Sequence, residues 1–426
     1  MAKYNFDKIV NRKGTDCIKW DATPLIWGKK NLLPMWIADM DFPTPKFFTD
    51  AIIAKIKDGV IGYGCSKPQK WYDAVIYWFN ERYGWKLKKE DIGFVPGIVV
   101  GIAHALRCFT KPGDKVLIFP PVYPPFKAKV DSYGTKLVNC PLDIVEKKNG
   151  EIDFEINWED LAKKIKGCKA MILCNPHNPG GRVWSRSELK KIAELCLKNK
   201  VFVISDEIHC DLSFEKHIPF ATVNAKQAEN TITFHAPSKT FNCAGVGASE
   251  WIATGKATRE KFAAYMEGGD YDFGHYDSFM PAEYLYTPKG YEWLKQALEY
   301  IKGNIDYVEK FLKENFTVPS IKMTGKVVRS QSVEYAEAAI EETQLIRMIK
   351  PKASFLIFVD FRPLGLSCSE LSDLLVNKAH LALNEGCSFG QGGECFMRLN
   401  VGCPRKVLEK AMNQLKYAFD KKYKLK

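Results

Sequence analysis

Between residues 95 and 255, short apolar runs alternate with amphipathic stretches, and this rhythm restricts the possible folds more than any other feature of the sequence. The apolar runs cover residues 115–120, 170–174, 201–205, 231–234 and 251–254. Helical patterns, such as the one over residues 187–197, fall between them. Such alternation is typical of a mainly parallel sheet covered by helices. We therefore expect an α/β fold whose ligand site lies at the carboxyl ends of the strands.

The carboxyl-terminal part of the chain has a different pattern. It predicts a strand at residues 354–360, a helix at 370–378, a strand at 396–401 and a last helix from Pro404 onward. Apolar residues recur on one face of that last helix: Val407, Leu408, Ala411, Met412, Leu415 and Phe419. This spacing predicts a face that packs on a core. We expect a large domain over residues 46–290 and a smaller α/β domain formed by residues 1–45 and 291–426.

Composition excludes several classes of protein. The chain has 426 residues, 46% of them hydrophobic, which is enough for more than one ordinary domain. No run approaches the roughly 18 apolar residues of a membrane span, and the start lacks an apolar signal core, so we expect a cytoplasmic protein. The net charge is +12, but the lysines are dispersed, which favours small anionic ligands over nucleic acid. The 13 cysteines form no C-x-x-C pair and predict reduced thiols.

Three polar residues follow successive predicted strands in a fixed order: Asn178, Asp206 and Lys239. A buried carboxylate such as Asp206 can hold a proton on a pyridine nitrogen, which makes the ring a stronger electron sink. Lys239 can bind an aldehyde cofactor covalently and then act as a general base at the substrate's α-carbon. Asn178 can donate a hydrogen bond to the ring's phenolic oxygen. Taken singly, Asn178 fits an ordinary turn, Asp206 fits a helix cap and Lys239 fits a surface charge. The three residues in this order are far more specific for a cofactor site.

Two further features fit a flat, phosphorylated ligand. Ile98 and Val99 begin an apolar helical stretch after a glycine, so their backbone N–H groups can bind a phosphate; the alternative is an ordinary helix start. Tyr123 follows a predicted strand and can stack on a cofactor ring; the alternative is a rigid turn with a packed aromatic residue.

Arg398 lies in an apolar strand, where a guanidinium without a partner is costly. A substrate α-carboxylate can supply a bidentate partner, and a structural salt bridge is the alternative. His209, shortly after Asp206, is interpreted as a residue that orients that carboxylate, or else as an ordinary buried histidine. The seven histidines have no metal-ligand spacing, so no metal is expected.

These residues lie within motifs that resemble the fold-type I pyridoxal-phosphate enzymes of the aminotransferase superfamily. The similarity is greatest to the branch of MalY/PatB-type cystathionine β-lyases, which are cysteine-S-conjugate β-lyases. The motifs that carry it are at residues 34–42, 62–64, 121–125, 205–209, 238–242 and 398–405. The resemblance covers nearly the whole chain.

The resemblance implies roles for residues around a bound pyridoxal 5'-phosphate. Lys239 would bind the cofactor covalently, Asp206 would pair with the pyridine nitrogen, and Asn178 would bind the phenolic oxygen. Tyr123 would stack on the ring. Arg398 would bind the substrate's carboxylate.

The resemblance also implies a phosphate site and a dimer. Ile98, Val99 and Ser238 would bind the phosphate, with Tyr63 reaching it from a neighbouring subunit. Such a shared site implies a homodimer. Ala38 would line the substrate pocket through its backbone.

The sequence departs from the family pattern in two ways. Many aminotransferases have a serine and an arginine at the positions of Ala236 and Gly247, so phosphate binding is left to the helix start and Ser238. Residues 265–281 and 324–345 match the pattern poorly, and the second stretch is expected to be an insertion that is partly helical over residues 333–342.

The expected reaction is an α,β-elimination that releases a thiol, pyruvate and ammonia from L-cystathionine or a related cysteine S-conjugate. Lys239 would take the α-proton, and either Lys239 or Tyr123 would protonate the departing sulfur. An aminotransferase would use the same residues and is the alternative activity. A non-catalytic regulatory protein on this fold is a second alternative, although the intact lysine, aspartate and arginine argue against it.

Overall fold

The computed structural model describes residues 3–64, 67–147, 150–330 and 333–423, with the backbone alone for residues 320–340 within that range and for 421–423. Its strands are β1 (Leu33–Pro34), β2 (Ile92–Val95), β3 (Lys115–Ile118), β4 (Lys136–Asn139), β5 (Leu142–Glu146), β6 (Ile152–Ile156), β7 (Cys168–Cys174), β8 (Phe202–Asp206), β9 (Thr231–His235), β10 (Ser249–Ile252), β11 (Thr317–Ser330), β12 (Val333–Gln344), β13 (Arg347–Ile349), β14 (Leu356–Asp360), β15 (Leu381–Ala382), β16 (Asn384–Glu385) and β17 (Phe396–Asn400).

The α-helices surround these strands. They are α1 (Ile18–Asp21), α2 (Thr23–Trp27), α3 (Lys46–Lys57), α4 (Gln69–Tyr83), α5 (Ile98–Phe109), α6 (Pro125–Ser132), α7 (Trp158–Lys164), α8 (Arg186–Asn199), α9 (Ala225–Ala228), α10 (Pro237–Thr240), α11 (Lys256–Gly268), α12 (Met280–Leu285), α13 (Pro288–Asn315), α14 (Cys368–Asp373) and α15 (Arg405–Tyr423). In the described part of the chain, no helix combines the length and apolar character needed to cross a membrane.

The large sheet has the strand order β2-β10-β9-β8-β7-β3-β4. Strands β4, β3, β7, β8 and β9 run parallel to one another, and β10 is antiparallel to both β9 and β2. The five apolar runs of the sequence form β3, β7, β8, β9 and β10, so the predicted mainly parallel sheet is confirmed. Because β7, β8 and β9 are parallel, the segments that follow them meet at one edge of the sheet.

A second sheet has the order β16-β17-β14-β13-β6-β5. The predicted strands at 354–360 and 396–401 form its β14 and β17. The hairpin of β5 and β6 was not expected here, because it follows the large sheet's β4 in sequence. It joins through the parallel pair of Ile152 and Ile349. The sheet thus connects residues of both predicted domains, and the domain limits stay a prediction.

The predicted helix over residues 333–342 is wrong. This stretch lies in β12, which pairs antiparallel with β11. Its alanine and glutamate residues favour a helix, whereas the preceding segment, which contains Val327 and Val328, favours a strand. Hairpin pairing in the register Val327 to Ala336 and Val328 to Tyr335 overrides the local helix propensity.

The carboxyl-terminal helix α15 closes one side of the core. Its predicted apolar face is confirmed, with Leu408, Ala411, Met412, Leu415 and Phe419 buried and Val407 partly buried. The helix packs on α13, whose inner face is also buried. The predicted helix at 370–378 is confirmed as α14, which the π-helical turn Leu374–Lys378 continues.

Candidate active site

A cavity of about 170 Å³ lies at the carboxyl ends of β7, β8 and β9. Nine residues singled out in the sequence line it: Ala38, Ile98, Val99, Tyr123, Asn178, Asp206, His209, Ser238 and Lys239. The parallel strands bring these residues together although they are far apart in sequence. Arg398 lies beside them and contacts Asn178.

Lys239 is on the short helix α10, directly after β9. Its Nζ donates a 2.6 Å hydrogen bond to the carbonyl oxygen of Ala38. Burial lowers the pKa of Lys239 to about 8, with Arg398 adding to this effect, while Asp39 and Asp206 oppose it. A larger share of the amine is therefore free of its proton near neutral pH than for an ordinary lysine.

Asp206 ends β8 and is buried. Burial raises its pKa to about 7, while the charges of Lys239 and His235 lower it. In the described residues its side chain accepts one hydrogen bond, from the backbone N–H of Ile208 at 3.2 Å. A carboxylate can accept several, so Asp206 has room for a cationic partner in the cavity.

The start of α5 faces the same cavity. The first main-chain hydrogen bond of the helix runs from Gly101 N to Gly97 O at 2.9 Å. Ile98 and Val99 come before Gly101, so their N–H groups are not used within the helix and point out of its end. Such an end favours an anion. At the same end of the cavity, a Cβ at Gly247 would lie 3.0 Å from the carbonyl oxygen of Pro96, so a side chain there would require the backbone before α5 to shift.

Tyr123 lies on another wall of the cavity. Its ring meets that of Phe126 edge-on, with 5.7 Å between the ring centroids. Burial, and secondarily the charge of Asp206, raises the pKa of its hydroxyl, so Tyr123 keeps its proton near neutral pH. Tyr123 lines the same cavity as the start of α5 and Asp206.

Arg398 is buried in β17. Its Nη1 donates to Asn178 Oδ1 at 3.2 Å. Its Nη2 donates to Asn384 Oδ1 at 2.7 Å and to Trp36 O at 3.0 Å, and its Nε has no partner. The guanidinium lies over the ring of Phe389, 5.0 Å from the centroid.

The structural salt bridge considered for Arg398 is not present, because no carboxylate of the described residues lies within ion-pair distance of it. Burial lowers its pKa to about 10, which leaves the group positively charged near neutral pH. A buried cation without an anion is costly, so a ligand with a carboxylate would stabilise this site.

His209 lines the cavity without the expected contact to Asp206. Its Nδ1 is buried and has no partner in the described part of the chain. Burial, followed by the charges of Lys239 and Arg398, lowers its pKa to about 3, so the ring is neutral. The backbone of Ile208, and not this ring, holds the carboxylate. A cofactor-binding role for His209 stays a prediction.

Two asparagines that sequence reasoning missed hold the segment 36–42 against the cavity. Asn242 accepts from Met40 N at 3.0 Å and donates to Met40 O at 2.9 Å. Asn400 donates to Asp39 O at 2.7 Å. Both asparagines belong to the motifs that contain the lysine and the arginine, and this was the signal that could have identified them.

Tyr63 lies outside this cavity. Its side chain is 97% exposed, and it lines a separate cavity of about 560 Å³ together with Phe273 and Tyr276. The structure therefore places Tyr63 where it cannot complete the site of its own chain.

The chain is similar to known proteins over nearly its whole length. The profile of the family described as aminotransferase class I and II matches residues 33–263. Cystathionine beta-lyase PatB of Bacillus subtilis (strain 168) is 39% identical over 418 residues, which cover 97% of this chain and 99% of that protein. The structure of cystalysin from Treponema denticola, which contains a pyridoxal 5'-phosphate cofactor, is 29% identical, has a TM-score of 0.87, and covers 99% and 100% of the two chains. The structure of the PLP-bound C-S lyase from Staphylococcus hominis is 28% identical, with a TM-score of 0.83 and the same coverage.

Proposed function

Because the chain belongs to the aminotransferase class I and II family, we propose that its cavity holds pyridoxal 5'-phosphate and breaks the carbon–sulfur bond of cysteine-derived amino acids. The products are a thiol, pyruvate and ammonia. L-cystathionine and related cysteine S-conjugates are the proposed substrates.

The residues that line the cavity fit this cofactor. The start of α5 and Ser238 suit a phosphate, because free N–H groups and a hydroxyl are donors to anions. Asp206, with one donor on its carboxylate, suits a protonated ring nitrogen. Lys239 supplies the amine that binds an aldehyde, and Tyr123 supplies a flat face for the ring.

The observation that carries the proposal is the buried guanidinium of Arg398 at the edge of the cavity. It donates to Asn178 and to Trp36 O, and Ala38, two residues after Trp36, accepts from Lys239 Nζ. A substrate with an α-carboxylate would neutralise Arg398 while its α-carbon reaches Lys239. An amino acid has this arrangement, and the names of the relatives, C-S lyase and cystathionine beta-lyase, indicate which bond is broken.

When bound, pyridoxal 5'-phosphate supplies the electron sink that stabilises negative charge at the substrate's α-carbon. Arg398 holds the carboxylate and thereby fixes the direction of the Cα–H bond. The substrate's amino group would displace Lys239 from the aldehyde, and the freed amine, with a pKa of about 8, would take the α-proton at Nζ. Asp206 would hold the ring nitrogen and stabilise a proton on it. A thiolate is a good leaving group, and Lys239 or the protonated hydroxyl of Tyr123 can protonate the departing sulfur.

We also propose a homodimer in the cytoplasm. Exposed apolar and aromatic side chains surround Tyr63, including Val60, Ile61 and Phe273, and would be covered by a second copy. Tyr63 would then reach the phosphate of the partner's site. The cysteines that the structure describes are free thiols, which is compatible with a reducing compartment.

Product analysis tests the function. Purified protein is incubated with L-cystathionine and, separately, with an amino acid and a keto acid, and pyruvate, thiol and new amino acid are measured. We expect pyruvate and thiol in equal amounts from the first mixture, and none from Lys239→Ala. Formation of new amino acid without pyruvate would identify an aminotransferase and overturn the lyase proposal.

A further inference from the structure

Asp211 is a fully buried carboxylate behind the cavity, and each of its oxygens accepts from two donors. Oδ1 accepts from Trp78 Nε1 at 2.9 Å and from the hydroxyl of Tyr83. Oδ2 accepts from Thr240 Oγ1 at 3.0 Å and lies 3.1 Å from His235 Nε2. The hydrogen-bonding capacity of this carboxylate is therefore filled, which fixes its orientation.

His235 is held between two carboxylates. Its Nδ1 lies 2.6 Å from Glu250 Oε1, opposite the contact of Nε2 with Asp211. Both ring nitrogens can donate only in the protonated imidazolium. Burial alone lowers the pKa of His235, but Cys210 and Asp211 raise it well above its ordinary value. Asp211 supplies the negative charge, because burial raises the pKa of the Cys210 thiol to about 11.

This network connects the two segments that supply the central groups of the cavity. Thr240 directly follows Lys239 in α10, and Asp211 lies in the turn after β8, which ends at Asp206. His235 is the last residue of β9, just before α10. The carboxylate of Asp211 thus contacts the end of β9, the Lys239 turn and, through Trp78 and Tyr83, helix α4.

A metal site is the other chemistry that such a cluster could have. Among the described residues, Cys210, Asp211 and His235 place ligand atoms within 4.8 Å of one another. However, both nitrogens of His235 and both oxygens of Asp211 already have protein partners, and a metal ion would have to displace them. The hydrogen-bonded network accounts for the cluster without an ion.

We propose, on the basis of the function given above, that Asp211 and His235 are positioning residues that hold the Lys239 turn in place through the hydroxyl of Thr240. Lys239 must place Nζ at the substrate's α-carbon, and small misplacements at such a position are costly in rate. The His235 charge also acts on Asp206, whose pKa it lowers, and so favours the ionised carboxylate that the ring nitrogen needs. Catalysis thus depends on residues that touch neither cofactor nor substrate.

Thr240→Val removes the one hydrogen bond between Asp211 and the Lys239 turn while nearly preserving the shape of the side chain. We expect kcat for pyruvate formation to fall by about tenfold or more, with KM changed by less than about twofold. Thr240→Ser keeps a hydroxyl and should restore kcat. Thr258→Val is the matched control, because Thr258 is also buried and donates at 2.6 Å to Glu229 O, away from the cavity.

A second measurement is made on the protein without cofactor. The protein is treated with trinitrobenzenesulfonate at a series of pH values, and the rate at which Lys239 is modified is measured by mass spectrometry of the peptide that contains it. The midpoint of this rate against pH should lie near 8 in the parent protein. In Thr240→Val the midpoint should move upward, because a loosened turn lets water stabilise the ammonium.

The two measurements separate the possible failures. An unchanged midpoint in Thr240→Val, or a loss of kcat that Thr240→Ser does not restore, would overturn the positioning role. A loss of the same size in Thr258→Val would also overturn it, since the effect would then be general destabilisation. If the parent protein forms no pyruvate, the proposed function fails, and the midpoint still decides the role of Thr240.

Discussion

Replacing Arg398 with lysine tests how the substrate is held. Nη1 and Nη2 already donate to Asn178, Asn384 and Trp36 O, so the planar group is fixed in one orientation. Lysine keeps the charge but cannot keep these contacts and also bind both oxygens of a carboxylate. The loss of a bidentate buried contact costs on the order of 2 to 4 kcal/mol, which corresponds to a decrease in kcat/KM of roughly 30- to 900-fold.

The assay is steady-state pyruvate formation from L-cystathionine. We expect KM to rise and kcat to fall together, because the same contact binds the carboxylate and directs the Cα–H bond. The absorbance of the lysine-bound cofactor should change little, since Lys239 and Asp206 are left in place and only the contact of Arg398 with Asn178 is lost. Arg362→Lys is the control: Arg362 also lies over a ring, that of Phe396, but is paired with Asp360 outside the cavity. Near-parental kinetics for Arg398→Lys would refute the assignment.

Three other variants test the cofactor site and the dimer. Lys239→Ala should abolish the attachment of cofactor by borohydride, and attachment to another lysine in the parent protein would contradict the assignment. Tyr63→Phe should lower cofactor retention on dialysis without changing the unfolding midpoint, and a fully active monomer in sedimentation would exclude the shared site. For Asp206→Asn, urea unfolding without cofactor should show the parent losing stability relative to the variant as pH rises from about 4 to about 7. Burial raises the pKa of Asp206 in the folded state above that of an unfolded aspartate, so the folded state binds the proton more tightly and loses stability as the proton leaves. Parallel plots of unfolding free energy against pH for the parent and the variant would contradict this.

The sequence predicted the large sheet and most of the cavity because both depend on local patterns. Apolar runs of strand length identified β7, β8 and β9, and polar residues directly after them had to meet at one sheet edge. This is why Asn178, Asp206 and Lys239 line one cavity. Arg398 was predicted for a different reason, the cost of a charge in an apolar strand.

What could not be predicted depends on contacts between distant segments. The hairpin β5–β6 pairs with β13 across a long sequence separation, and nothing in its own residues indicates that sheet. Likewise, the partners Trp78 and Tyr83 of Asp211 come from α4, and an aspartate after a strand has no sequence mark that distinguishes it from a helix cap. Local propensity was misleading for residues 333–342, where pairing with β11 decided the structure.

The wall formed by residues 36–42 is held through its main chain. Asn242, Asn400 and Arg398 all bind backbone atoms of this segment, and Lys239 binds the carbonyl of Ala38. The backbone path is thus specified by residues elsewhere, which leaves the half-buried side chain of Ile37 free to vary. Substitution at Ile37 would therefore leave in place the contacts that hold Lys239. Sequence change at that position, by selection or by directed evolution, can accumulate without displacing Lys239.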